Sequence, residues 1–316
     1  MINKKKLFTD LYYIRSVEKK IEEKYHEGKM RCPTHLSIGQ EGISAVFANL
    51  VKKKDYVISM HRPHAHYLAK GGNLTKMICE LYGKDNGCSK GRGGSMHLID
   101  NKVNFMGSTS ILGNNLPVGV GLALSSKLKK KENITFIFLG DAAVEQGSFY
   151  ESINFAAVNS LNILFICENN EFSVYSDLKS RQPKNRKIYE LVKKIGVKSV
   201  FSNGKKIDDI ERKMQLSINY IKKNKKPSFI EIKTSRWLEH CGPNDDSGLG
   251  YRSISKLNEW KKNDFLKILE KKISKKNNDV KKIKNNISLK IKNAFAIAES
   301  SKFPKFNDLK KGIYEK

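Results

Sequence analysis

Asp141 and Asn170 are the residues best suited by type and position to do chemistry. Each follows a short apolar run: Ile134-Thr135-Phe136-Ile137-Phe138-Leu139 leads into Gly140-Asp141, and Ile163-Leu164-Phe165-Ile166-Cys167 leads into Glu168-Asn169-Asn170. Runs of this length and apolarity predict strands buried in a parallel sheet. Between them, Gln146 to Leu161 puts Phe149, Ile153, Ala156, Ala157 and Leu161 near helical spacing. The segment is thus a strand–helix–strand unit with Asp141 and Asn170 at the carboxyl ends of its strands, where an open α/β sheet forms its ligand crevice. One carboxylate and one side-chain amide oxygen are hard donors that suit a Mg²⁺ sharing its remaining positions with phosphate and water. A tight turn whose aspartate caps a helix would explain Gly140-Asp141 alone. The two strand ends taken together are more specific, and the backbone N–H groups of Ala142 and Ala143 at a helix start add a seat for an anion.

Other elements must hold this unit in place. Residues 3–27 read as an amphipathic helix with Leu7, Leu11, Ile14, Val17, Ile21 and Tyr25 on one face, stopped by Gly28. Pro33 to Gln40 is a loop, Gly42 to Leu50 a short helix and Tyr56 to Met60 a strand, with His61-Arg62-Pro63-His64-Ala65-His66 directly at its end. Leu68 to Tyr82 contains a helix. Residues 83–97 form a loop rich in glycine, which permits unusual backbone angles but lacks the closing Gly-Lys-Ser/Thr of a Walker loop. Leu116 to Leu128 is a helix of small residues. Phe172 to Asn185 reads as a polar loop, Val197 to Phe201 and Ser228 to Lys233 as strands, and Asp208 to Lys222 as the helix joining them. A second loop runs from Arg236 through His240 and Asp246 to Tyr251-Arg252; its glycines and consecutive aspartates predict mobility without ligand. Lysine-studded helices fill 254–316. The expected fold is α/β, a parallel sheet with helices on both faces and helical N- and C-terminal additions. Residues 1–316 form one α/β domain in this reading, with 1–30 and 254–316 as parts of it.

The chain has 316 residues, 39% of them hydrophobic, and no apolar run long enough to span a membrane. Its N-terminus is basic without the apolar segment of a signal peptide. Five scattered cysteines with no CxxC pair point to a reducing, cytoplasmic setting rather than to disulfides or zinc. The net charge of +28 invites a nucleic-acid reading. The excess is lysine, however, densest at 222–226 and 258–294, where it reads as solvated helix faces. No arginine–aromatic interleaving or nucleic-acid-binding motif accompanies it.

Several stretches in order carry a resemblance: His35 to Glu41 (HLSIGQE), Arg62-Pro63-His64, Gly83 to Leu98 (GKDNGCSKGRGGSMHL), Gly113 to Pro117, Gly140 to Phe155, Cys167 to Asn170, the loop at His240, and Tyr251-Arg252. Through them nearly the whole chain resembles the alpha subunit of the thiamine-diphosphate-dependent 2-oxo-acid dehydrogenase (decarboxylating) component, the group of the pyruvate, branched-chain and acetoin enzymes. Ala142 departs from the Gly-Asp-Gly form of the cofactor motif, and Glu-His-Cys-Gly-Pro-Asn-Asp-Asp at 239–246 from the usual loop; both suggest a divergent branch.

The resemblance implies thiamine diphosphate and Mg²⁺ as cofactors. It assigns the metal to Asp141, Asn170 and the carbonyl of Phe172, and the diphosphate to Arg62, whose planar guanidinium suits phosphate. His61 stands where the family usually has Tyr. Ser110 and Leu112 would hold the aminopyrimidine, and Gly140, Ala142, Ala143 and Gln146 would lie along the diphosphate. His240 would reach the diphosphate and reacting centre, and His64 and His35 would line the approach of substrate and lipoyl group. Histidine titrates near neutrality, as proton transfer there requires, although a lone histidine is by default a satisfied polar residue. The resemblance further implies decarboxylation of a 2-oxo acid with acyl transfer to a lipoyl-bearing acyltransferase. It also implies a beta subunit, in a heterotetramer of two alpha and two beta chains, that brings the activating glutamate. One alternative keeps the cofactor but passes the acyl group to an aldehyde or sugar. Another, from a different class, is a non-catalytic basic scaffold or nucleic-acid-binding protein.

Overall fold

In the computed structural model, which describes residues 2–273, 277–308 and 311, the apolar runs become the centre of a six-stranded sheet. Its strands are β1 (Tyr56–Ser59), β2 (Phe105–Ser108), β3 (Thr135–Gly140), β4 (Ile163–Asn169), β7 (Lys198–Ser202) and β8 (Ser228–Lys233). They lie in the order β2-β1-β3-β4-β8-β7, every neighbouring pair parallel. A separate two-stranded hairpin, β5 (Phe172–Ser173) with β6 (Ser176–Asp177), follows β4.

Both faces of the sheet are buried, which explains why its strands are apolar without alternation. Phe136, Phe138, Leu164, Ile166, Ile230 and Ile232 point into one hydrophobic cluster, shared with the helices α1 (Lys4–Tyr25), α2 (Glu41–Leu50), α4 (Leu74–Leu81), α9 (Ile207–Asn224) and α12 (Asn277–Ser300). Ile137, Leu139, Ile163, Phe165, Cys167 and Phe229 point into the other, shared with α5 (Asn115–Leu128), α6 (Gly147–Val158) and α8 (Ile188–Lys194). Gly119 lets α5 settle onto β3: a Cβ there would lie 2.4 Å from Cδ1 of Ile137. The face predicted for α1 is buried through Leu7, Leu11, Ile14, Val17 and Ile21, each such side chain contributing about 1.5–3 kcal/mol. Asn3 caps its start, accepting from the N–H groups of Lys5 and Lys6. The predicted C-terminal helices are α10 (Ile254–Lys262), α11 (Phe265–Ile273) and α12; residues 274–276, 309–310 and 312–316 of that extension lie outside the described residues.

The chain runs outward from β1 to β2 on one side and from β3 to β4 on the other. The sheet therefore has its switch point between β1 and β3, and a crevice at their carboxyl ends. Arg62 follows β1 and Asp141 follows β3, so the two stand on opposite banks of that crevice.

Six elements go beyond the sequence reading. β2 is a four-residue edge strand containing Gly107, and α3 (His64–Ala69) is six residues long and half polar. α8 lies in a stretch, 186–196, to which the sequence reading assigned no element, and the predicted polar loop at Phe172 to Asn185 contains the β5–β6 hairpin and α7 (Leu178–Arg181). Each is too short for periodicity to register.

Candidate active site

Residues from four separate segments meet in a cavity of about 130 Å³ in the crevice: His35 and Gln40, Met60 to Arg62, Gly140 to Ala142, and Glu168, Asn170 and Phe172. Met96, Ser110, Leu112, Ser173, Val174 and His240 complete the wall. The cavity thus brings together most of the predicted site residues. Leu112 and its neighbour Ile111 are exposed beside it, so this wall ends at the protein surface. A larger cavity of about 360 Å³ beyond Phe172, lined among others by Lys179, Tyr251, Lys256 and Trp260, shares only Asn170 and Phe172 with the crevice.

Asp141 begins a five-residue 3₁₀ turn, Asp141–Glu145, so Ala142 and Ala143 lie in that turn and not at the start of the predicted Gln146 to Leu161 helix. α6 starts only at Gly147, with Gln146 as its N-cap residue. Gln146 is exposed and outside the cavity, and Ala143 turns into the hydrophobic cluster behind it. Asp141 is buried, and burial pushes its carboxyl up to about 6 although Arg181 pulls the other way. Arg181, from α7, donates to Oδ2 of Asp141 and through its other terminal nitrogen to Oε1 of Glu145.

The two asparagines after β4 divide their work. Asn169 is fully enclosed: its amide donates to Glu231 (2.7 Å) and its oxygen accepts from the Glu171 N–H. Asn170 faces the crevice, its amide donating to Oε1 of Gln40 (3.1 Å) and its oxygen accepting from the Phe172 N–H (3.0 Å). That oxygen keeps a second lone pair for a cation.

On the opposite bank Arg62 is buried and donates to two carbonyls, of Leu36 and of His240 (3.2 Å). It holds the loop of His35 against the loop of His240, which are also joined by Gly242 N–H to Thr34 and Trp237 N–H to Ile38. The His240 loop is not the loose segment its composition predicts. The buried Asp246 accepts from both Arg236 and Arg252, and Arg236 reaches on to the Val174 carbonyl and the Tyr251 hydroxyl.

The His35 ring is roughly perpendicular to those of His61 and His240, its centre 4.8 and 4.9 Å from theirs, and the His61 and His240 rings are tilted to each other with centres 5.4 Å apart. Burial first, and the Arg62 cation second, depress His35, His61 and His240 to about 2, 3 and 4 respectively. Their nitrogens lie within 4.8 Å of one another, and neutral imidazoles ligate metals, yet the adjacent guanidinium opposes another cation and favours an anion. The buried Nδ1 of His35 has no hydrogen-bond partner, a polar atom left for a ligand. These depressed histidines predict acid sensitivity. Unfolded, each takes a proton near pH 6.5; folded, none does until about pH 4 or below, so stability falls as pH drops through 6.5. Urea midpoints at pH 7 and pH 5 should differ more for the wild type than for His61→Asn, and equal differences would contradict this.

His64 lies outside the cavity and is fully buried: Nε2 is 2.8 Å from Oγ of Ser95, and Nδ1 is 3.2 Å from Oε1 of Glu18 without hydrogen-bond geometry. Glu18 in turn accepts from the Ser37 N–H, so this chain of contacts supports the His35 loop from behind. His66, stacked on Phe138, links Ser59 to Glu168 of the cavity wall. The sequence reading gave no role to Gln40 and Glu145, although both stand inside stretches that carry the resemblance, nor to Arg181. Their roles depend on which loops meet, and no spacing within one element marks them.

A parallel sheet with a crevice at its switch point, carrying a carboxylate and an amide on one bank and an arginine on the other, has the layout of an α/β protein with a polar ligand site at its strand ends. Residues 9–307 match the model of the family described as dehydrogenase E1 component. The chain is 33% identical over 313 residues to the pyruvate dehydrogenase E1 component subunit alpha of Rickettsia bellii (strain RML369-C), covering 98% of this chain and 95% of that protein. It is 34% identical over 314 residues to the protein of the same name from Rickettsia prowazekii (strain Madrid E), with the same coverage. To the one from Porphyra purpurea it is 28% identical over 319 residues, covering 98% and 92%. The chain belongs to the dehydrogenase E1 component family.

Proposed function

We propose that this chain is the alpha subunit of a thiamine-diphosphate-dependent 2-oxo-acid dehydrogenase and supplies the metal–diphosphate half of its active site. The observation that carries the reading is the pairing of Asp141 and Asn170 at adjacent strand ends, opposite the buried Arg62. The residues fit the cofactor. Asp141, the Asn170 oxygen and the Phe172 carbonyl are hard donors for Mg²⁺, and Arg62 has N–H groups beyond those given to Leu36 and His240 to meet a diphosphate. When bound, thiamine diphosphate supplies the electron sink for loss of CO₂ from a 2-oxo acid.

The chain's own part is to hold the cofactor and to present polar groups beside it. His240 and His35, side by side and held neutral by burial and the Arg62 cation, can donate or accept hydrogen bonds at the reacting face, with His61 completing the polar wall. Ser110 and Leu112 stand at the exposed rim, where the pyrimidine end would be covered by a second chain. That chain is a beta subunit in our reading, in a heterotetramer of two alpha and two beta chains that passes the acyl group to lipoamide. The five free thiols suit the cytoplasm. Residues 1–316 act as one domain.

The test is turnover with and without the partner. The purified chain with thiamine diphosphate, Mg²⁺ and a panel of 2-oxo acids should release negligible CO₂, and addition of its beta subunit should restore release. Robust turnover by the chain alone would overturn the half-site assignment. Acyl-lipoamide among the products supports the proposed acceptor, and acyl transfer only to added aldehydes refutes it.

A further inference from the structure

The third cavity-side donor, Phe172, belongs to the β5–β6 hairpin, where it pairs with Asp177. Asp177 caps α7 by accepting from the Ser180 N–H, and Arg181 is the last residue of that helix. From there the Arg181 guanidinium turns back to the first donor, binding Asp141 Oδ2, Glu145 Oε1 and the Ser176 carbonyl (3.3 Å). Gln182 adds a second bond to Glu145, at 3.0 Å. The contacts close a ring: Asp141, Arg181, the hairpin, Phe172, Asn170 and the adjacent strand end. Asp141 is buried and Arg181, Phe172 and Asn170 are part-buried, while the hairpin tip at Val174, Tyr175 and Ser176 is exposed.

Resting on the functional reading above, we propose that Arg181 is the positioning residue of the metal site, clamping Asp141 through Oδ2 so that Oδ1 is presented to the ion, and locking the Phe172 hairpin to that same carboxylate. Groups that hydrogen-bond a metal-ligating carboxylate orient it and sharpen its affinity. The charges agree with an orienting rather than a competing role. Asp141 and Glu145 carry two negative charges against the single positive charge of Arg181, so the trio keeps a net charge of −1 facing a cation. Glu145 is the second half of the device, because it holds the guanidinium that would otherwise follow solvent. No spacing rule links residue 181 to the strand-end motif forty positions earlier; the hairpin alone brings them together.

The experiment measures Mn²⁺ affinity by electron paramagnetic resonance in the full chain assembled with its partner subunit and thiamine diphosphate, alongside melting temperature without Mn²⁺. Arg181→Met should raise the Mn²⁺ Kd by roughly 10- to 100-fold, the range for loss of an outer-shell partner. Arg181→Lys, which keeps one donor and the charge, should recover part of it, and Glu145→Gln should weaken binding less than Arg181→Met. An unchanged Kd in Arg181→Met, even with a lowered melting temperature, overturns the proposal and leaves the metal site standing. Tighter binding would mean that Arg181 competes with the ion, and also overturns it. If the wild type takes up no Mn²⁺, or Asp141→Asn binds it as well as wild type does, the metal-site reading itself fails and this proposal with it.

Discussion

Replacing Asp141 with alanine is expected to abolish metal-dependent binding of thiamine diphosphate while leaving the sheet folded. Of the three proposed ion ligands, Asp141 alone is charged; the Asn170 oxygen and the Phe172 carbonyl are neutral dipoles. Removing it takes away the main attraction for a dication at a site whose other bank is the Arg62 cation. Losing an outer-shell partner costs about 10- to 100-fold in metal affinity, and loss of the direct anionic ligand should exceed that. The fold should survive, because Asp141 lies just beyond β3 and Arg181 keeps Glu145 as a partner. Calorimetric titration of the assembled enzyme with thiamine diphosphate, with and without Mg²⁺, reads the effect, and circular dichroism checks the fold. Undiminished Mg²⁺-dependent affinity would remove Asp141 from the site.

The second large effect is expected at Glu80, at the end of α4. Its buried carboxylate collects four backbone N–H groups of the glycine-rich loop: Ser89 (2.7 Å) and Gly91 (3.0 Å) on Oε2, Gly93 (2.7 Å) and Gly94 (3.3 Å) on Oε1. The loop is wound around this one side chain, closely enough that a Cβ at Gly87 would lie 2.2 Å from Oε2. A hydrogen bond to a charged group contributes about 1.5–3 kcal/mol. Even with water replacing part of the set, Glu80→Ala should lose roughly 3 kcal/mol or more, a large share of the 5–15 kcal/mol typical of a folded protein. Glu80→Gln should fall between, since its NH₂ would confront one pair of donors while its oxygen serves the other. Urea midpoints give the order, wild type above Gln above Ala, and limited proteolysis within 83–97 should quicken in the same sequence. An Ala variant as stable and as protease-resistant as wild type would mean the loop is held by other contacts.

The centre of the fold was legible because its strands are buried on both faces. Nothing but a run of Ile, Leu and Phe satisfies β3 and β4, and such runs stand out in a lysine-rich chain. The same reasoning located Asp141 and Asn170, because residues that follow such strands must lie in the crevice. It failed where structure depends on what a segment meets. β2 is stabilised as an edge by pairing with β1, which its sequence FMGS does not announce. The Asn169-Asn170 pair reads as a unit, yet one member braces Glu231 and the other faces the cavity. His64 has the residue type and sequence position of a site group. Its burial against Glu18 and Ser95 depends on α1 and the glycine-rich loop closing over it, which no local pattern encodes. The loop of His240 looks mobile by composition and is held by two arginines on one aspartate, charges whose partners are invisible until the chain is folded.

The double seat of Arg62 ties the two ends of the chain into one act of folding. Its guanidinium rests on a carbonyl from the His35 loop and another from the His240 loop, and those loops are themselves bonded to each other. A chain emerging during synthesis has Asp141 and Asn170 available once β4 is made, and the central strands can already pair. The far wall of the crevice arrives only with the segment after β8, so closing it depends on contacts of very long sequence separation, the kind that form late. A cofactor that binds the closed crevice stabilises by mass action only the state in which both loops are home. Occupancy by the diphosphate therefore distinguishes finished molecules from those stalled with a complete core and an open edge.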